Sequence, residues 1–291
     1  MGGGDVGMNG RGDNLKFDEI GYWSEVKLEI VKKYAQAYST ILAKDTRLSY
    51  AYIDGFAGTG VHLTRDTHEF VLGSPLNALR IIPPFQDYFL VDLDGDKVDQ
   101  LRDFPEVRQR AEVHVFHGDC NEVLLREVFP LVRYEYYRRA LCLLDPYGLH
   151  LNWEVIETAG KMRSIEIFLN FPIMDMNRNA LWREPERATA SGISRMTAFW
   201  GDESWRQIAY TESPQYDLFG KSRPMKVGNE KVVAAFRQRL KDVAGFNYVL
   251  EPVPMRNSRN AVIYYLFFAS QKPVAANIVR DIFKKYRDRG G

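Results

Sequence analysis

The stretch Asp54-Gly55-Phe56-Ala57-Gly58-Thr59-Gly60 decides the fold, because it places a glycine-rich loop directly after the apolar run Tyr50–Ile53. A short apolar run that ends in such a loop is typical of the first strand of a parallel α/β sheet. Ligands of these sheets bind outside the carboxyl ends of the strands, where the strand order reverses. The stretch therefore predicts a nucleoside-cofactor site at the end of the first strand.

Outward from this loop, apolar runs alternate with segments of helical period. The runs are Tyr50–Ile53, Tyr88–Val91, Val113–Phe116, Leu141–Leu144 and Ile165–Phe171. Helices are expected at Pro75–Ile82, Gly95–Arg102, Asn121–Val128 and Asn152–Met162, after an amphipathic helix capped by Ser24. The alternation predicts an α/β fold with a doubly wound, mostly parallel, seven-stranded, Rossmann-like sheet.

The last part of the chain predicts an antiparallel end to this sheet. A helix at Asn229–Val243 precedes two strands, Asn247–Val253 and Val262–Ala269, and a final helix spans Val274–Tyr286. The two strands are joined by a turn too short for a parallel crossover, so they must form a hairpin.

We expect a flexible tail at residues 1–21 and one domain at 22–291. Residues 172–228 interrupt the alternation with four prolines and three of the five tryptophans. They predict a partly helical insertion with no clear strand.

Composition excludes several classes of protein. The 39 Lys and Arg residues nearly balance the 38 Asp and Glu residues, which argues against a binder of polyanions that relies on global charge. Cys120 and Cys142 are the only cysteines and form no CxxC pair, so a disulfide scaffold and a structural zinc site are disfavoured. The histidines show no metal-binding spacing, so no metal is expected. This cysteine usage predicts a reducing, cytoplasmic setting, and no apolar run reaches the roughly 20 residues of a membrane span.

The glycine loop does not match the common phosphate-binding motifs. It has the spacing GxxGxG, and the next acid at a strand end, Asp92, follows Asp54 by 38 residues, whereas a dinucleotide fingerprint is GxGxxG with an acid about 20 residues on. No lysine follows Gly60, so it is not a P-loop. The carboxylate of Asp54 suits a positively charged cofactor, and S-adenosylmethionine (SAM) carries a sulfonium and an amino group.

Acids at two later strand ends extend this prediction. Asp92 is placed to accept hydrogen bonds from ribose hydroxyls, although Asp94 competes for that role. Asp119 is placed to contact the adenine amino group, with Cys120 beside it, or it caps the following helix. The predicted cofactor-binding residues are Asp54, Gly55, Phe56, Gly58, Gly60, Asp92, Asp119 and Cys120.

The fourth strand end reads Asp145-Pro146-Tyr147-Gly148. A carboxylate and the Pro146 carbonyl can each accept one N–H of an exocyclic amine and turn its lone pair toward a methyl donor, while Tyr147 stacks on the ring. Methyl transfer needs this in-line geometry more than a strong base. Asp145, Pro146 and Tyr147 are therefore the predicted catalytic residues, and the alternative is an ordinary Asp-Pro turn.

Taken together, the motifs DGFAGTG, VDLD, GDCN and LLDPYG resemble those of class I SAM-dependent methyltransferases. A more specific set resembles the three-Cys-motif partner (TcmP) family. It comprises Tyr22-Trp23-Ser24 with Lys27, the stretch 52–58, Gly73-Ser74-Pro75, Gly118-Asp119-Cys120-Asn121, Asp145-Pro146-Tyr147-Gly148 and the stretch 171–178. The resemblance implies a methyltransferase-like fold and a partner protein with three cysteines in a radical-SAM-like motif.

The last motif departs from the Asp-Pro-Pro-Tyr element of amino-methyltransferases, because Tyr147 follows Pro146 at once. The alternative to amine methylation is therefore a non-catalytic methyltransferase fold that serves as the partner subunit of the three-cysteine protein.

A nucleic-acid substrate is suggested by local charge. Residues 221–259 hold nine basic and three acidic side chains, which phosphates could contact. Arginines interleaved with tyrosines at 133–139 form a second candidate, and either stretch could instead be a solvated or packed helix face.

Overall fold

The computed structural model describes residues 18–65, 68–216, 222–257 and 259–287. The strands are β1 Asp18–Ile20, β2 Ser49–Asp54, β3 Val61–Thr64, β4 Phe70–Leu72, β5 Asp87–Asp92, β6 Val113–His117, β7 Arg138–Leu144, β8 Ile165–Phe171, β9 Tyr210–Tyr216, β10 Ser222–Lys226, β11 Tyr248–Val249, β12 Val253–Arg256 and β13 Val262–Ser270. The helices are α1 Tyr22–Leu42, α2 Ser74–Leu79, α3 Gly95–Asp103, α4 Pro105–Arg108, α5 Cys120–Val123, α6 Trp153–Met162, α7 Ile173–Asn179, α8 Ala190–Trp200, α9 Trp205–Ala209, α10 Asn229–Asp242 and α11 Pro273–Arg287.

The central sheet has the order β11-β13-β8-β7-β2-β5-β6, and β12 pairs with β13 on the same side as β11. Strands β2, β5, β6, β7 and β8 are parallel, while β13 is antiparallel to β8. The predicted doubly wound, mostly parallel α/β sheet with an antiparallel end is confirmed. Chain order reverses between β2 and β7, which places a crevice above their carboxyl ends.

The strands are apolar on both sides because helices cover both faces of the sheet. On β7, Cys142 and Leu144 belong to the core layer beneath α6 and α10, whereas Leu141 and Leu143 belong to the layer beneath α1 and α11. This alternation decides which side chains at the strand ends face α1. Within the described chain, no helix is both long and apolar enough to cross a bilayer.

The sheet has eight strands where seven are expected, because the predicted strand Asn247–Val253 is divided. Its place is taken by β11 and β12, which lie end to end along β13. Pro252 lies between the two strands and has no N–H to donate to a ladder, which accounts for the interruption.

Two small sheets lie outside the predicted pattern. In one, Asp18–Ile20 pairs with His62–Thr64, so the end of the predicted flexible tail is a strand; residues 1–17 lie outside the described part of the chain. Helix α1 also begins at Tyr22 with Gly21 as its N-cap, and not with Ser24.

The other small sheet is the antiparallel pair β9 and β10, so the expectation of no strand within 172–228 is wrong. Pro214 and Pro224 suggested irregular chain here. In a two-stranded ribbon, each strand is hydrogen-bonded along one side only. A proline, which has no N–H, can therefore be accommodated where that position faces away from the partner strand. Helices α7, α8 and α9 fill the rest of this segment, and Trp200 and Trp205 are buried in the core.

Candidate functional site

Asp54 ends β2 with a fully buried side chain. Its Oδ1 accepts a hydrogen bond from the Phe56 backbone N–H at 3.2 Å. Burial raises the pKa of Asp54 to about 7, against the opposing hydrogen bonds of Ser74 and Phe56, and the nearby carboxylates of Asp145 and Asp92 raise the pKa further. The first strand end therefore holds a carboxyl group that changes charge near neutral pH.

The glycine loop after Asp54 needs its glycines. Gly58 and Gly60 have φ angles of +62° and +81°, the left-handed region that other residues rarely adopt. A Cβ on Gly55 would lie 3.2 Å from Leu144 Cδ2. The backbone N–H of Gly58 donates to Asp92 Oδ2 at 2.7 Å. The loop is thus tied to the end of the neighbouring strand β5.

Asp92 and Asp94 have different roles. Asp92 accepts from the Asp94 N–H through Oδ1 at 2.9 Å, in addition to its bond from the glycine loop. Asp94 caps α3, since its side chain accepts from the N–H groups of Asp96 and Lys97. Its carboxylate is committed to the helix, which leaves Asp92 as the better candidate for a ribose.

Asp119 is the N-cap of α5, which is the alternative role predicted for it from the sequence. Its Oδ1 accepts from the Asn121 backbone N–H and from Asn121 Nδ2, both at 2.8 Å. Cys120 is buried, and burial raises the pKa of its thiol, with the Asp119 and Asp92 carboxylates adding to the effect. The Gly118 backbone N–H donates to the Asp92 carbonyl at 3.0 Å, so Asp119 and Cys120 lie close to Asp92.

Asp145 forms an ion pair through Oδ2 with the ammonium of Lys27, which α1 delivers to the end of β7. Lys27 is buried, and its Nζ lies 5.5 Å from the centre of the Tyr264 ring. Burial alone would lower the pKa of Lys27, but Asp145, followed by Tyr264, outweighs it, so the pKa is raised. The ammonium therefore stays charged and compensates the carboxylate. Sequence reasoning used Lys27 only within the family resemblance.

The loop after Asp145 projects an aromatic ring into solvent. Tyr147 is 90% exposed. Gly148 has a φ of +69°, and a Cβ there would lie 2.8 Å from Asp175 Oδ2. The glycine allows this tight turn, which leaves the Tyr147 ring available for a flat ligand.

Asn170, near the end of β8, is a polar residue at this edge that sequence reasoning missed. Leu144 is in register with Leu169, so Asn170 occupies the position beside Asp145. On β8, Glu166 accepts a hydrogen bond from Tyr34 of α1. Asn170 lies four residues further along the same strand, so its side chain points to the same face, toward α1. It is 8% exposed, and its Oδ1 has no hydrogen-bond partner among the described residues. An Asn inside the apolar run 165–171 was the available signal.

The structure thus brings Asp54, Asp92 and Asp145 together around the glycine loop, with Asp119 and Cys120 next to Asp92. In the described ranges, no group of three or more His, Cys, Asp or Glu side chains could hold a metal ion. The arrangement is an acidic crevice at the point where the strand order reverses.

No protein-family model matches the chain, and no curated protein matches it in sequence. Among solved structures, it is similar to protein LPL1258 of Legionella pneumophila, with a TM-score of 0.53 and 10% identity over 89% of this chain and 91% of that one. A structure of M. jannaschii TYW2 in complex with AdoMet matches with a TM-score of 0.38 and 10% identity, over 85% and 76% of the two chains. The likeness to LPL1258 shows a shared fold along nearly the whole of both chains. The resemblance to three-Cys-motif partner proteins has no family match and remains a hypothesis.

Proposed function

We propose that this protein binds SAM and transfers its methyl group to an exocyclic amine of a nucleic-acid base. The observation that supports the proposal best is the convergence of Asp54, Asp92 and Asp145 on one glycine loop at the reversal of strand order. A crevice lined by carboxylates favours a cationic ligand over a phosphate.

The residues of the crevice fit SAM, which would supply an electrophilic methyl group. Asp54 would stabilise positive charge on the cofactor, because its buried carboxylate lies in a region of low dielectric. Asp92 would accept from the ribose hydroxyls, and Asp119 and Cys120 would line the adenine side. Gly55, Phe56, Gly58 and Gly60 would form the loop against which the cofactor lies. The loop keeps this path only with its glycines, since side chains there would clash with neighbouring leucines or strain the backbone.

Asp145, Pro146 and Tyr147 would orient the acceptor amine. Lys27 contacts Oδ2 of Asp145, so Oδ1 can accept an N–H, and the Pro146 carbonyl can accept the second. The exposed Tyr147 ring can stack on the base. The amine becomes acidic only after it gains the methyl group, so these residues act by orientation, and the proton leaves afterwards.

A non-catalytic role is the second candidate. The ion pair with Lys27 already occupies one oxygen of Asp145, and the motif lacks its second proline. Both features suit a methyltransferase fold that binds a three-Cys-motif partner protein without transferring a methyl group.

Calorimetry with SAM and with S-adenosylhomocysteine separates the two candidates. We expect both to bind the wild-type protein, and Asp145→Asn to keep this binding but lose the methylated base in mass spectra of cellular RNA and DNA. Asp94→Asn is the matched control, because it makes the same change at a helix cap outside the crevice. Failure of both ligands to bind at high micromolar concentration contradicts the proposal and favours the partner role.

A further inference from the structure

A groove of about 500 Å³ runs along the outer edge of the central sheet, between α10 and α11. Its floor is the edge strand β11 and the residues that follow it. Five basic side chains line it: Arg237, Lys241, Arg280, Lys284 and Arg287. Glu251 is the one acidic residue of this lining, so the groove carries an excess of four positive charges.

The basic side chains form two rows. On α11, residues 280, 284 and 287 follow the spacing that places side chains on one helix face, and residues 237 and 241 do the same on α10. Successive members of a row are about one helical turn apart, roughly 5.4 Å along the axis. Two rows of cations that line one groove fit an extended polyanion better than a single small anion.

The basic run noted in the sequence is divided by the structure. Lys226 donates to Asn177 Oδ1 at 2.6 Å, and Arg239 donates to Asp202 Oδ2 at 2.7 Å, so both serve the fold. Lys221 and the side chain of Arg223 lie outside the described residues. Arg237 and Lys241 are the members of the run that reach the groove, and Arg237 is ion-paired there with Glu251.

The floor of the groove is closed to strand addition. The Val249 carbonyl accepts from Arg237 Nε at 3.1 Å, and the Glu251 carbonyl accepts from Arg287 at 2.6 Å. A peptide that adds to a sheet edge needs such carbonyls free. Tyr248, 37% exposed, instead offers an aromatic ring between the two rows.

We propose that this groove binds the phosphate backbone of a single-stranded nucleic acid, with Tyr248 as a stacking surface for a base. Lysine and arginine rows beside an exposed aromatic ring are the general means of binding single strands without sequence preference. This inference goes beyond the proposed function, because backbone binding does not require methyl transfer.

The position of the groove relates it to the crevice. Two strands, β13 and β8, separate the edge strand from β7, so the groove lies about 14 Å to the side of the Asp145 strand at about 4.8 Å per strand. By register Val249 is level with Cys142, so the groove also lies about 10 Å from Asp145 along the strand, toward its amino end. A strand held there must extend by several nucleotides to reach the crevice. We therefore expect affinity to depend on oligonucleotide length.

The test is fluorescence anisotropy of a labelled 20-nucleotide single-stranded RNA of mixed sequence. Arg280→Glu/Lys284→Glu reverses two exposed charges that do not hold the edge strand. Arg108→Glu/Arg126→Glu makes the same change on exposed residues away from the groove. At 0.1 M salt we expect the groove variant to weaken binding at least about tenfold and to reduce the salt dependence, since each lost phosphate contact removes roughly 0.7 from the slope. The control should stay within about twofold.

Equal loss in both variants, or no loss in the groove variant, overturns the inference. So does binding of a poly-glutamate 20-mer or of phosphatidylglycerol vesicles as tight as that of the RNA, because either would identify a different partner. Calorimetry with SAM on the groove variant should match the wild type. If the wild type does not bind SAM, the proposed function is contradicted, whereas the inference about the groove still stands.

Discussion

The crevice and the groove both gather charge at an edge of the same sheet, but they hold it in opposite environments. In the crevice, Asp54 and Lys27 are buried, so their charges interact strongly and lack the stabilisation of water. In the groove, Arg280 and Lys284 are exposed and are screened by salt. We infer that changes at Asp54 or Lys27 alter folding stability, whereas changes at Arg280 or Lys284 alter only what the protein binds.

The largest effect is expected from the titration of Asp54. Its pKa is about 7 in the folded protein against 3.8 for the free group, so between these pH values the folded state keeps a proton that the unfolded state has lost. The free energy of unfolding should therefore fall as pH rises from 4 to 7, by about 1.4 kcal/mol per pH unit for one proton. Asp54→Asn should remove that share of the slope in urea unfolding measured from pH 4.5 to 8.

Glu166 supplies the comparison for Asp54. It is a partly buried carboxyl away from the crevice, hydrogen-bonded to Tyr34 and Ser270, and its removal from water raises its pKa to about 7 as well. Glu166→Gln should remove a separate share of the same slope. SAM binding should become tighter as Asp54 ionises near pH 7 in the Glu166 variant, but not in Asp54→Asn. An unchanged slope in Asp54→Asn would show that the carboxyl is charged throughout this range.

The next effect concerns the ion pair between Lys27 and Asp145. Asp145→Leu leaves the ammonium of Lys27 buried without its partner, which should lower the free energy of unfolding by about 3 kcal/mol. Adding Lys27→Met should recover most of this loss, because an apolar pair has no charge to desolvate. Urea unfolding of the four proteins in the cycle measures the coupling. A loss of unfolding free energy below about 1 kcal/mol in the single variant, or no recovery in the double variant, would show that the ion pair is exposed to solvent.

The sequence allowed the frame of the crevice to be predicted, because the signals for it are local. Buried runs such as Leu141–Leu144 identify the strands, and the acids that follow them fall at one edge of a parallel sheet. Asp54, Asp92 and Asp145 were found in this way. Their roles toward a cofactor and an amine remain predictions.

Features that depend on packing between distant segments could not be predicted. Lys27 meets Asp145 across 118 residues, because α1 folds over the carboxyl ends of the strands. Asn170 gains its place beside Asp145 from the register of β7 and β8. The basic rows of α10 and α11 become one groove only when the two helices flank the edge strand. The prolines of β9 and β10 concealed a hairpin, since local propensity does not show whether a strand lies at an edge.

A smaller effect is expected when the groove is changed. Arg280→Glu/Lys284→Glu should alter the free energy of unfolding by less than about 0.5 kcal/mol, because both side chains are exposed. Urea unfolding at low and high salt measures this directly. The coupling between Lys27 and Asp145 should persist at high salt, since screening acts weakly on buried pairs. A destabilisation comparable to that of Asp145→Leu would mean that the groove charges support the fold.

The smallest effect on stability is expected at Tyr147, which belongs to the crevice but is exposed like the groove. With 90% of the residue in solvent, Tyr147→Ala should leave the unfolding transition unchanged. If its ring stacks on the acceptor base, the same change should slow methyl transfer by roughly 5- to 160-fold, because such stacking contributes about 1–3 kcal/mol per base. Tyr147→Phe keeps the ring and should retain most of the rate.

The measurement is transfer of labelled methyl from SAM to bulk RNA and DNA of cells that lack the gene. Val274→Ala, at another exposed apolar side chain, is the control. Equal rates in Tyr147→Ala and the control would remove the stacking role.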